Sequence, residues 1–172
     1  RKLEQWTAKR VPGRRWESGE TLMYLGAPLQ LAIATGPENV LHHESALHIS
    51  AQRPQTENIA ALARAWLRTQ ALADFARRVE RFRVSMAVTP GDIRLSNARS
   101  RWGSCHASGR ILLNWRLIHF AQPVIDYVVV HELSPLRVLD HSPRFWDTVA
   151  QVLPDYAERR ALLRDEAVPR WD

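Results

Sequence analysis

The residues best suited to chemistry lie in His131-Glu132-Leu133-Ser134-Pro135-Leu136-Arg137-Val138-Leu139-Asp140-His141. Two histidines four residues apart on a helix share one face, close enough for both imidazoles to hold one zinc ion. A glutamate beside the first, rotated about 100° around the axis, meets a water bound to that ion. With three protein ligands, zinc keeps a fourth position for water and lowers its pKa towards about 7, and the carboxylate takes the released proton. Here His131 and Glu132 stand in that relation, but position 135 is proline and the next histidine is His141. On its own a His-Glu pair on an apolar helix is usually no more than that, and the spacing to His141 adds modest weight.

Other reactive or recognition-competent side chains have plainer uses. Cys105, the only cysteine, reads as a small buried hydrophobe, and no His-Asn arrangement around it suggests a thiol enzyme. Trp102, Trp115 and Trp146 can line a cleft, although core packing is the simpler use. Asn114 and Arg116 end a candidate edge strand, where they could grip a substrate or an oxyanion or merely face water. His119 reads as a surface residue.

Three regions must position these groups. From Glu20 to about Ser50 apolar residues alternate: Leu22 and Tyr24, then Gly26-Ala27-Pro28, then Leu29, Leu31 and Ile33. That predicts a hairpin with one buried face, followed by a second pair of short strands at Val40-Leu41 and Leu47-Ile49. Thr56, as N-cap, begins a long amphipathic helix to about Arg83, with Ile59, Leu62, Trp66, Leu72, Phe75, Val79 and Phe82 inward and Arg64, Arg68, Arg77, Arg78 and Arg81 on a solvated face. Short strands at Ile93–Leu95 and Ile111–Leu113 precede a helix from Pro123 that carries the His-Glu pair. Ser142-Pro143 opens another helix, with Ser as N-cap and Pro at its first position, and a last one runs from about Tyr156 to Arg164.

Composition narrows the partners. The chain has 172 residues, 45% of them hydrophobic and 24% charged, which fits a globular domain. Its net charge of +6 is concentrated: residues 1–16 hold six basic side chains against Glu4, leaving 18 basic and 17 acidic in the rest. The body is therefore no generic polyanion binder, while a basic arm over residues 1–18 could touch nucleotide or nucleic acid. No apolar run reaches the roughly 20 residues of a membrane span, and a single cysteine suits a reducing compartment. A cytoplasmic protein with no membrane partner is expected, its oligomeric state undetermined.

Several motifs together carry a resemblance. Arg101-Trp102-Gly103-Ser104-Cys105, Leu113-Asn114-Trp115-Arg116-Leu117 and Asp126-Tyr127-Val128-Val129-Val130-His131-Glu132-Leu133 are similar to the YgjP-like family of predicted zinc metallopeptidases. His141-Ser142-Pro143-Arg144-Phe145-Trp146 and Leu153-Pro154-Asp155-Tyr156 continue the likeness, which is dense from about residue 92 to 164 and looser over the front hairpin. It implies an α+β, zincin-like domain of minimal gluzincin type, with a small sheet packed on the motif helix. Residues 19–172 would form it: N-terminal hairpins over 19–50, a connecting helix over 54–83 and a catalytic core over 92–164. It further implies a zinc cofactor held by His131 and His141, Glu132 as catalytic base, and a peptide or protein substrate extended along an edge strand, with Trp102, Gly103, Ser104 and Asn114 as substrate-binding candidates.

The family pattern places a histidine ligand where this chain has Pro135. Proline cannot bind zinc, and within a helix it removes one hydrogen bond and crowds the preceding turn, at a cost of about 3 kcal/mol. The helix should kink there, with Ser134 pushed out of helical dihedrals. Pro135 is then a natural loss, or a point variant or error (His and Pro codons can differ by one base), or another side chain completes the site: His106, His119, Cys105, His42, His43 or His48. Zinc should bind weakly or not at all, and activity should be low or absent. Two other functions fit the same residues: a metal-dependent nucleotide or phosphate-ester hydrolase, and a non-catalytic module that binds peptide or nucleic acid.

Overall fold

Leucines and isoleucines at alternate positions pull the front third of the chain into a sheet with one dry face. A computed structural model describes residues 14–165; residues 1–13, most of the basic arm, lie outside the described residues. Strands β1 (Thr21–Tyr24) and β2 (Ala27–Thr35) form the expected hairpin, turning at Leu25 and Gly26 with φ of 52° and 81°. Strands β3 (Asn39–His43) and β4 (Ala46–Ala51) form a second antiparallel pair, and β4 runs parallel to β2, giving the order β1-β2-β4-β3. Leu22, Leu29, Leu31, Leu47 and Ile49 are buried on one face of this sheet.

Helix α1 (Thr56–Met86) buries Ile59, Ala63, Leu67, Ala71, Phe75, Val79, Phe82 and Met86, a stripe stepping by three or four residues. Leu72, expected inward, is 43% exposed. The N-cap is Gln55 rather than Thr56: its N–H donates to Asn58 Oδ1 at 2.8 Å, and the Thr56 hydroxyl instead donates to the Arg15 carbonyl.

Arg78 departs from the expected solvated face. It is 6% exposed, its Nε donates to Asp74 at 2.6 Å, and its guanidinium reaches across to Asp126 and the Gln122 carbonyl. Burial opposes its charge, but the bonds to Asp74 and Asp126 outweigh that and hold its pKa above the ordinary arginine value. This network ties α1 to the start of the motif helix. Arg78→Ala removes the most buried partner of two largely buried carboxylates, leaving Asp74 to Arg77 and Asp126 to Arg81 and Arg159, so urea unfolding should show a loss of about 1–3 kcal/mol.

Beyond α1 the chain forms a second sheet, β5 (Ile93–Ser96), β6 (Gly103–Cys105) and β7 (Ile111–Asn114), in the order β5-β7-β6. Strand β5 is parallel and β6 antiparallel to β7. A 3₁₀ turn over Trp115–His119 leads into α2 (Gln122–Leu133), followed by α3 (Pro143–Val152) and α4 (Tyr156–Asp165). Ser142 and Pro143 occupy the expected cap and first positions of α3, though the serine side chain makes no capping bond. Helix α2 is buried on all sides from Tyr127 to Leu133, with β6 and β7 lying on it. The fold is thus α+β, with a small sheet on the motif helix. No helix among the described residues is long and apolar enough to cross a membrane.

The tip of the front hairpin docks on the entry to α2. Leu25 N–H donates to the Ile118 carbonyl at 2.7 Å, Gly26 N–H to that of His119, and His119 Nδ1 donates to the Met23 carbonyl at 2.7 Å. A Cβ at Gly26 would lie 2.6 Å from Ala121 Cα, so only glycine fits there. His119 is therefore no surface residue: it is 4% exposed, and burial pushes its pKa down to about 4.

A buried histidine that stays neutral makes folding disfavour its protonated form. The unfolded chain takes up that proton near pH 6.5 and the native one only near pH 4, so this term stabilises the fold above pH 6.5 and fades, by roughly 3 kcal/mol, as pH falls to 4. Glu132, whose pKa is raised to about 8, contributes the opposite slope between about pH 4.5 and 8. Comparison with His119→Gln isolates the histidine: the stability advantage of the unaltered chain should shrink as pH falls from 6.5 to 4 in paired denaturant titrations.

Candidate metal centre

His131 and Glu132 occupy the last turn of α2, but the helix does not kink as expected. The α pattern stops at Leu133 and continues as a 3₁₀ turn over Ser134–Leu136. Ser134 keeps helical dihedrals, φ −60° and ψ −34°, and its hydroxyl donates to the Val130 carbonyl at 2.7 Å. Ending the α-helix at Leu133 places Pro135 in the opening turn of the new segment, where a missing N–H costs little. The strain expected of a proline at 135 is thus relieved by changing helix type.

His141 enters from the loop before α3. Its ring centroid lies 5.4 Å from that of His131, with the planes 38° apart. His131 Nδ1 and His141 Nε2 are both buried, and neither has a hydrogen-bond partner among the described residues. Burial, with the nearby His141 and Arg160, lowers the His131 pKa to about 3; burial also lowers that of His141. Around the pair pack Phe145, 4.3 Å from His141 and 5.1 Å from His131, and Trp146, whose ring stacks on Tyr156.

Glu132 is 5% exposed and faces β6. Burial raises its pKa to about 8, and Arg101 is the charge that draws it back down. Gly103 gives it room: a Cβ at that position would stand 2.7 Å from Glu132 Cγ and 2.9 Å from Oε1. Strand β6, like β5, is an outer strand of its sheet. Asn114 N–H donates to the Trp102 carbonyl and His106 N–H to that of Arg110, which turns the main-chain groups of Trp102, Ser104 and His106 towards β7. The N–H and C=O groups of Gly103 and Cys105 therefore face the open edge.

The remaining sequence candidates fall into two groups. Gly103 and Ser104 lie half-buried on the edge strand. Trp102 and Asn114 do not line a cleft: Trp102 is 2% exposed and packs edge-to-face on Phe120, and Asn114 is fully buried. The Asn114 amide donates to the carbonyls of Ala98 and Arg101, and its oxygen accepts from Arg116 N–H. Apolar strands leave few uses for a buried asparagine except to pin a neighbouring loop. The importance of Gly103 to Glu132 carried no signal beyond its place in the motif, because close approach between a strand and a helix is a tertiary fact.

Whether these residues suit a catalytic metal can be judged from the donors. Two unpartnered imidazole nitrogens near one another are what a metal ion would use. A third donor is missing: among the described residues no three His, Cys, Asp or Glu side chains gather to hold an ion. His119 is spent on Met23, and His42, His43 and His48 lie on the front sheet. Among the described residues no third donor joins His131 and His141, and the position where the family pattern has a histidine ligand is Pro135.

Comparison with known proteins agrees with the fold. The family described as YgjP-like, metallopeptidase domain matches residues 1–166. No curated protein and no solved structure gives a significant match. The chain belongs to the YgjP-like family, whose members are zincin-like metallopeptidases, and membership implies a metal.

Proposed function

We propose that this YgjP-like metallopeptidase is laid out to hydrolyse peptide bonds at a zinc centre, and that Pro135 leaves the centre one ligand short, so that its activity is low or absent. The observation that carries this reading is the pair of buried nitrogens of His131 and His141, without a hydrogen-bond partner among the described residues, together with the buried carboxyl of the next residue, Glu132, which faces β6. Orphaned polar atoms in a dry site are costly and call for a partner. In the same reading His131 and His141 are the remaining metal ligands and Glu132 is the general base. The open edge of β6 offers the main-chain groups of Gly103 and Cys105 to an extended peptide or protein substrate. The single cysteine suits a reducing, cytoplasmic setting.

The test is zinc content and hydrolysis of an unfolded protein, measured on the chain and on Pro135→His. Little zinc and little cleavage by the chain, with both restored in the variant, is the expected result. Equal zinc in the two would end the account of a missing ligand.

A further inference from the structure

Several arginines along the body of this chain are matched to carboxylates. Arg77 and Arg78 pair with Asp74, Arg83 with Glu80, Arg94 and Arg110 with Asp92, and Arg159 with Asp155. Arg99 and Arg101 are exposed and, like Arg53, Arg137 and Arg144, have no salt bridge among the described residues. What sets them apart is their place beside the strand edge, with the Arg101 charge felt at Glu132. They sit on the loop that delivers the chain into β6. That loop is held firmly, because Asn114 grips the Ala98 and Arg101 carbonyls while Trp115 Nε1 and Arg116 both donate to Asn97 Oδ1. A buried asparagine and a buried tryptophan thus anchor a segment whose exposed side chains include two cations, next to the open strand edge.

We infer that Arg99 and Arg101 select extended peptides carrying Asp or Glu side chains, which they meet as the peptide pairs along the edge of β6. The inference rests on the peptide reading above and names its substrate class. Charge alone would also attract a nucleic acid, but the groups turned outward at Gly103 and Cys105 are a main-chain ladder, which matches a peptide backbone and has no counterpart in a phosphodiester. The arginines then add selection by charge to binding by backbone.

Binding serves as the readout, so no metal is needed. Fluorescence anisotropy with labelled unstructured decapeptides of equal length compares a sequence with several Glu and Asp, its Gln and Asn counterpart and a Lys-rich version. The acidic peptide should bind roughly five- to tenfold more tightly than the neutral one, the yield expected of two exposed charge pairs. Arg99→Glu/Arg101→Glu, with folding checked by circular dichroism, should reverse the order, and Arg99→Gln/Arg101→Gln should level it. Acidic and neutral peptides binding alike would overturn the charge selection while leaving the peptide reading intact. Failure of every peptide to bind would overturn both, and tighter binding of a single-stranded oligonucleotide than of the acidic peptide would replace the inference with a nucleic-acid site.

Discussion

Pro135→His should raise zinc affinity by roughly a hundredfold or more and bring the purified chain to one ion per molecule. A four-ligand structural site gives on the order of 10–16 kcal/mol, or roughly 3 kcal/mol for each ligand, which is about a hundredfold in affinity. The first ligand position is already helical, and Ser134, between the two, keeps φ −60° and ψ −34°, so a histidine at 135 needs no large backbone change to lie one turn beyond His131. Removing the proline lets the α-helical bond to the His131 carbonyl form. The accompanying gain in stability should fall well below the 3 kcal/mol of a mid-helix proline, because the 3₁₀ turn already relieves most of the strain. Zinc titration by competition with a chromophoric chelator measures the first effect, and urea unfolding of both metal-free proteins measures the second. Hydrolysis gained by the variant should vanish in Pro135→His/Glu132→Gln, which keeps the ligands and removes the base.

Gly103→Ala should separate stability from chemistry. The new methyl group would meet the Glu132 side chain at 2.7–3.0 Å, closer than packed atoms come. What it meets is the end of a flexible side chain, so the fold can yield by rotating the carboxylate away, at a cost within the roughly 1–3 kcal/mol of local overpacking. A carboxylate moved by about 1 Å, however, no longer stands where it can take a proton, and misplacement of that size costs about a hundredfold in rate. In the Pro135→His background, Gly103→Ala should therefore leave zinc stoichiometry unchanged and lower stability by no more than about 1–3 kcal/mol, while hydrolysis falls about a hundredfold. Unchanged hydrolysis would mean that Glu132 is not the base, or that its seat tolerates the methyl group.

How far the sequence could be read depended on the range of the forces involved. Local signals held up: alternation at Leu22, Leu29 and Leu31 gave the hairpin, and Ser142-Pro143 marked the start of α3. Motif spacing brought His131 and His141 to within ring contact. What the sequence hid were long-range partners. His119 reads as polar and exposed until the hairpin tip, nearly a hundred residues earlier, supplies the Met23 carbonyl. Arg78 looks like one of a row of solvated arginines until Asp126 arrives from α2. Asn114 and Trp102 resemble recognition residues, and only the packing of β6 against α2 and the 3₁₀ turn reveals them as anchors. Pro135 illustrates the converse: its chemical effect was plain from the motif, but its mechanical effect depended on the chain's freedom to change helix type.

The contact between the hairpin tip and the entry to α2 has a practical consequence for anyone reshaping this protein. Met23, Leu25 and Gly26 brace the floor from which the motif helix rises, so the segment from residue 92 onward is not a portable cassette. Transplanted alone, it would lose the abutment that fixes where its histidine and glutamate stand, however faithfully its own letters were kept.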